Sequence, residues 1–131
     1  MTKKKTAVEL FEEALVKYGK PFGIDERYAK ILTLLAESPR TFKELMVETD
    51  IPQPTLARRI SWLIDNGYTK KYDLMRKSFY APRVMYATDT FGFSNLLRKV
   101  LNEMETEYVN LRSYISIYRS LLKKFDEENF E

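Results

Sequence analysis

Ile51-Pro-Gln-Pro-Thr-Leu-Ala-Arg-Arg-Ile-Ser-Trp-Leu-Ile-Asp-Asn-Gly-Tyr-Thr-Lys-Lys71 is the stretch on which the reading of this chain turns. Leu56, Ile60, Leu63 and Ile64 recur at helical spacing and form one apolar side. Projected at about 100° per residue, Pro54, Arg58, Ser61 and Asp65 lie opposite, flanked by Thr55 and Trp62. Pro52 and Pro54 fit a first helical turn, whose amides lack intrahelical partners in any case. Gly67 closes the helix, and a basic strand follows. A helix that buries one side and carries arginine on the other has the shape that enters a DNA major groove.

Upstream, the spacing predicts three helices. The first begins at Thr6, where Thr6-Ala-Val-Glu9 fits a capping box, and carries the stripe Val8, Phe11, Leu15, Tyr18. Gly19-Lys-Pro-Phe-Gly23 ends it. The second runs from about Asp25 to Glu37, with Tyr28, Ile31, Leu32 and Leu35 on one face, and stops at Ser38-Pro39. Thr41-Phe-Lys-Glu44, another capping box, opens a short third helix with Leu45 and Met46 inward.

Downstream, Tyr68 to Leu74 and Arg83 to Thr88 are strand-like, and the basic, aromatic stretch Met75 to Pro82 forms the tip of a hairpin. From about Ser94 to Phe125 the pattern is continuous helix. Phe93, Leu97, Val100, Met104, Tyr108, Leu111, Ile115, Tyr118, Leu122 and Phe125 form a heptad seam with one stutter, between Met104 and Tyr108. Such a helix spans roughly 50 Å. It is too long to bury its seam against so small a domain, so a second copy is expected to cover it.

Composition narrows the function. Cysteine and histidine are both absent from the 131 residues, which removes disulfides, thiolate nucleophiles, the usual zinc ligands and imidazole acid–base chemistry. The four glycines are too dispersed for a phosphate-cradling loop, and the adjacent pairs Glu12-Glu13 and Glu127-Glu128 point apart on a helix. We therefore expect no enzyme, no metal and no cofactor. Nothing resembles a signal peptide, and no apolar run approaches the roughly 18 residues of a membrane helix. The expectation is a cytoplasmic protein. Charge is uneven: residues 52–83 hold Arg58, Arg59, Lys70, Lys71, Arg76, Lys77 and Arg83 against Asp65 and Asp73, a net +5, while residues 94–131 hold six basic and seven acidic side chains. That positive concentration on the reading segment is what a phosphate backbone selects. Lys3, Lys4 and Lys5 form either a backbone-tracking arm or a solubilising tail.

Gln53-Pro-Thr-Leu-Ala-Arg-Arg-Ile60 followed by Leu63-Ile-Asp-Asn-Gly-Tyr68 resembles the reading helix and wing entry of winged helix-turn-helix transcriptional regulators of the ArsR, MarR and PadR-like families. It is similar also to small archaeal single-domain regulators with a long C-terminal dimerisation helix. The resemblance covers residues 25–88, between an N-terminal segment (1–24) and a long C-terminal helix (89–131). It implies a mostly α fold with a small β-hairpin. It implies further that Gln53, Thr55, Arg58 and Ser61 face base edges or nearby phosphates. Arg59, toward the flank, is read as a phosphate clamp or an ion-pair partner of Glu44 or Glu48. Trp62 either touches the sugar–phosphate edge or packs. Arg76, Lys77 and Arg83 on the wing, with Lys70 rather than both strand lysines, meet phosphates or a narrow minor groove. This chain departs from the metal-sensing members, whose cysteines and histidines it lacks.

The expected protein is a homodimeric, sequence-specific binder of double-stranded DNA, acting as a repressor. Phe11 and Leu15 of the first helix join Leu97, Val100, Met104, Tyr108, Leu111, Ile115, Tyr118 and Leu122 at its interface. Two rival readings share the fold: a DNA-organising or plasmid-partition adaptor, and a winged-helix protein-interaction module. A small-molecule effector among Tyr108, Tyr114 and Tyr118 is compatible with the pattern, but nothing in the pattern requires one.

Overall fold

A computed structural model describes residues 4–74 and 83–129. In chain order the elements are α1 (Ala7–Gly19), a 3₁₀ turn (Lys20–Phe22), α2 (Glu26–Glu37), α3 (Phe42–Thr49), α4 (Gln53–Asp65), β1 (Thr69–Leu74), β2 (Arg83–Thr88) and α5 (Thr90–Asn129). The chain divides into two compact units, Met1–Val100 and Leu101–Glu131.

Local chemistry sets the helix starts. Thr6, Asp25 and Thr41 each accept a backbone N–H from the first turn of the helix they precede, at 2.9–3.2 Å. At Thr41 the box is complete, because the Glu44 carboxylate returns to the Thr41 N–H at 3.1 Å. Asp50, the C-cap of α3, adopts φ +56° and turns the chain toward α4. Helix α5 starts at Thr90, earlier than the periodicity predicts, since Asp89 caps it by accepting the Gly92 N–H at 3.1 Å.

Gly92 sits inside the first turn of that helix for a steric reason. A Cβ there would lie 1.7 Å from the Gly67 carbonyl oxygen, so only glycine lets α5 approach the α4–β1 turn this closely. Gly67 itself is at φ +79°, the left-handed conformation expected of the residue that closes α4. The hairpin pairs β1 and β2 antiparallel, from Thr69 opposite Thr88 to Leu74 opposite Arg83. A third, one-residue strand joins it: Arg40 exchanges backbone hydrogen bonds with Tyr86 at 2.8 and 3.0 Å.

The first unit is organised around Leu15, Ile31, Leu32, Leu45, Leu56 and Leu63, all essentially buried, and Phe93, Leu96 and Val100 of α5 join the same core. Each such side chain contributes about 1.5–3 kcal/mol relative to remaining exposed. This corrects the expected dimer interface at two positions: Leu15 (1% exposed) and Val100 (3%) are core residues of their own chain. Phe11, half-buried, packs its ring 6.3 Å from Phe93 of the same chain, while Val8 and Leu10 stay exposed.

The stutter in the α5 seam has the same origin. Val100 faces the core, whereas its neighbour Leu101 is half exposed. The predicted seam merges two faces of the helix, an inward one at Val100 and an outward one at Leu101. With Val100 assigned inward, Leu97, Leu101, Met104, Tyr108, Leu111, Ile115, Tyr118, Leu122 and Phe125 run at steps of 4 and 3 without interruption. Along the second unit, from Tyr108 through Phe125, every residue of this seam is exposed.

Candidate nucleic-acid interface

Helix α4 is positioned by its buried side. Leu56, Ile60 and Leu63 are in the core, which turns Gln53, Arg58 and Ser61 outward and leaves Thr55 half-buried. Arg58 makes no ion pair among the described residues, so its guanidinium keeps five donors for a bidentate acceptor. A cleft of about 320 Å³ lies where α4 meets the hairpin, lined by Ala57, Ser61, Asp65, Lys71 and Tyr86 together with Phe42. Ser61 and the wing are therefore adjacent. Lys70 is exposed too, but the strand lysine that lines this cleft is Lys71.

The next arginine faces the other way. Arg59 Nη1 donates to both carboxylate oxygens of Asp25 at 2.7 Å, and its guanidinium lies 4.5 Å above the Tyr28 ring. The expected partners Glu44 and Glu48 are engaged elsewhere, and Asp25, the N-cap of α2, takes that place. Burial pushes the Asp25 carboxyl upward, but the Arg59 hydrogen bond, the Tyr28 N–H and the Arg59 charge outweigh it, and the group lies below its ordinary 3.8. Trp62 extends the stack, 4.5 Å from the Tyr28 ring and 6.1 Å from Tyr68. Its half-buried indole lies so near Gly23 that a Cβ there would come within 3.1 Å of it. Arg59 and Trp62 together fasten α4 to α2.

The wing is tied to the helices by two ionic groups. Arg83, at the start of β2, donates to Glu44 at 3.2 Å. The Thr41 N–H and hydroxyl hold that carboxyl below its ordinary 4.5, and Arg83 and Arg40 add to the effect against a desolvation push upward. Arg40 is largely buried and serves as a hub. Its side chain donates to Glu48 at 2.9 Å, to the Leu34 and Ser38 carbonyls, and to the Ser38 hydroxyl, while its backbone carries the bridge to Tyr86. Sequence reasoning missed Arg40, Asp25 and Tyr28 as structural partners. Only Ser38-Pro39, which places an extended residue after α2, hinted at the first. Arg76 and Lys77 lie outside the described residues.

Helix, turn, helix and basic hairpin in this order define a winged helix-turn-helix, and comparison with known proteins agrees. Residues 25–71 match the family model "Bacterial regulatory protein, arsR family", which covers α2 through the first part of β1. Among solved structures, a transcriptional regulator homologue from Pyrococcus horikoshii OT3 is similar at 23% identity and a TM-score of 0.54, over 76% of this chain and 97% of that one. A MarR family transcriptional regulator from Silicibacter pomeroyi DSS aligns at 16% identity and 0.54, over 88% and 81%. Diamide-treated YodB from B. subtilis aligns at 23% and 0.52, over 80% and 92%. No curated protein matches the chain. The chain thus has the winged helix-turn-helix fold of these regulators, and its residues 25–71 match the arsR-family model. Among the described residues, no helix is long and apolar enough to cross a membrane.

Proposed function

We propose that this protein is a homodimeric, sequence-specific binder of double-stranded DNA that regulates transcription, acting as a repressor by occluding a promoter. The observation that carries the reading is Arg58: exposed on the outer face of a helix whose other side is locked into the core, and unpaired among the described residues. In a major groove its guanidinium matches the O6/N7 edge of guanine. Gln53, Thr55 and Ser61 share the reading role, and one strand lysine, Lys71 in place of the expected Lys70, contacts the backbone with Arg76, Lys77 and Arg83. Arg59 and Trp62 hold the helix at its angle. Two copies read a pseudo-palindromic site with half-sites roughly 34 Å apart.

The test is selection of bound duplexes from a random pool, followed by titrations over a range of salt. A palindromic motif and a steep fall of affinity with salt are expected. Arg58→Ala should cost roughly 1–3 kcal/mol on the selected site and relax its sequence preference. Arg76→Ala and Lys77→Ala should weaken all sequences about equally. Footprints spreading over many adjacent sites would instead point to a DNA-organising protein. Absence of retention on duplex DNA at about 0.1 M salt would overturn the reading in favour of a protein-interaction module.

A further inference from the structure

The seam of α5 beyond Val100 is exposed throughout its last six layers, and the charge written along the helix specifies how a second copy covers it. From Leu101 to Arg112 the helix carries Glu103, Glu105, Glu107 and Arg112, a net −2. From Tyr114 to Phe125 it carries Arg119, Lys123 and Lys124, a net +3. Outside the seam the signs alternate again, with Arg98 and Lys99 before it and Asp126, Glu127 and Glu128 after it. The pattern is antisymmetric about Ser113.

We infer that α5 pairs with α5 of a second copy in antiparallel orientation, about a two-fold axis at Ser113. The inference rests on the homodimer proposed above and adds its geometry. Antiparallel pairing sets each charge block against its opposite, whereas parallel pairing sets each block against its own kind, with Glu107 and Arg112 as the attractive exception. On the flank of the seam, Glu105 meets Arg119 of the second copy, twice by symmetry, and neither forms an ion pair within its own chain among the described residues. The one like-charge contact on that flank is Arg112 against its own symmetry mate, at the axis.

Packing agrees with the charges. Antiparallel layers set Leu101 on Phe125, Met104 on Leu122, Tyr108 on Tyr118 and Leu111 on Ile115, which keeps a large side chain beside a smaller one in the outer layers. Parallel layers would stack Phe125 on Phe125 and Leu101 on Leu101, alternately wide and narrow. Parallel dimers also favour β-branched residues at one set of seam positions and leucine at the other; here Leu101, Tyr108, Ile115 and Leu122 form the first set and contain a single β-branched residue. The seam from Leu101 to Phe125 is about 36 Å long. It therefore separates the two Leu101 positions by about one turn of B-form DNA.

The chain has no cysteine, which makes orientation directly measurable. Leu101→Cys and Phe125→Cys variants of the full chain are prepared, and helix content and sedimentation are checked before oxidation. Neither variant should cross-link alone, and an equimolar mixture should give disulfide dimers. Cross-linking of each variant with itself would establish parallel pairing and overturn the inference while leaving the dimer intact. A dimer by sedimentation that cross-links in no combination would overturn it as well, because the interface would lie elsewhere. A monomer by sedimentation in the unmodified chain would remove the homodimer reading itself. Charge variants give an independent readout. Glu105→Arg should weaken dimerisation about tenfold, and adding Arg119→Glu should restore it. Arg112→Gln should tighten an antiparallel dimer by about twofold, whereas in a parallel one it would loosen the contact with Glu107.

Discussion

Helix α4 and the part of α5 beyond Val100 are written in the same kind of sequence and have opposite surroundings. In α4, Leu56 and Leu63 are fully buried; in α5, Leu111 and Leu122 are 48% and 63% exposed. Both stripes repeat at helical spacing. The difference lies in the surroundings: α2, α3 and the hairpin close over α4, while the seam side chains from Tyr108 to Phe125 stand exposed among the described residues. An apolar stripe therefore states that a cover is required, and not whose cover it is.

The contrast is broken most directly at matched leucines. Leu63→Ala should cost about 2–5 kcal/mol, because it leaves a cavity that the surrounding core fills only in part. Leu122→Ala should cost much less in a dilute sample, within about 0.5 kcal/mol, since an exposed side chain loses little when truncated. Its effect should grow with protein concentration as dimers form. Urea denaturation at two concentrations a hundredfold apart checks both. Equal losses at both positions, independent of concentration, would show that α5 is covered within its own chain.

The boundary between the two regimes falls inside α5, and Gly92 tests the inner part. Gly92→Ala places a methyl where the Gly67 carbonyl stands, so α5 must shift away from the α4–β1 turn. A loss of about 1–3 kcal/mol is expected, typical of overpacking. Thermal unfolding measures it, with Ser113→Ala as the silent control on the outer part. An unchanged melting temperature for Gly92→Ala would mean that the first turn of α5 is not held against the reading unit.

Much of this was legible in the sequence, and the exceptions share a cause. The five α-helices and both strands follow from apolar period and from signals such as Thr6, Thr41 and Gly67, because those signals are local. The contacts that escaped are long-range. Asp25 and Arg59 are 34 residues apart, and Arg83 and Glu44 are 39 apart. No spacing rule links them. The misassigned seam was subtler: Val100 and Leu101 both fit an amphipathic helix, and only the core beneath Val100 distinguishes them. Leu15 was placed at a dimer interface for the same reason.

The Asp25–Arg59 pair sharpens the comparison at the level of single side chains. Asp25→Asn should cost about 1 kcal/mol, discounted because the Asp25 side chain is 52% exposed. Its pH dependence has a definite sign. The folded carboxyl lies below its ordinary 3.8, so the contribution is fully present above that value and is lost as pH falls through the lower folded one. The stability difference between the two proteins should therefore be flat at neutral pH and shrink only in strong acid. A difference that instead shrinks between pH 6 and 8 would assign it to some other group.

Arg58 and Arg59 are the smallest comparison and the most informative about function. Arg59 is fixed by Asp25 and Tyr28; Arg58, one residue earlier, is fixed by nothing among the described residues. Arg58→Ala should change folding stability by no more than about 0.5 kcal/mol. Arg59→Ala should lower stability measurably and disturb DNA binding through the tilt of α4. Loss of DNA affinity without loss of stability at Arg58, against linked losses at Arg59, is the expected outcome of parallel denaturation and gel-shift series. Linked losses at both positions would mean that α4 presents no dedicated reading face and that the outer arginine belongs to the scaffold as well.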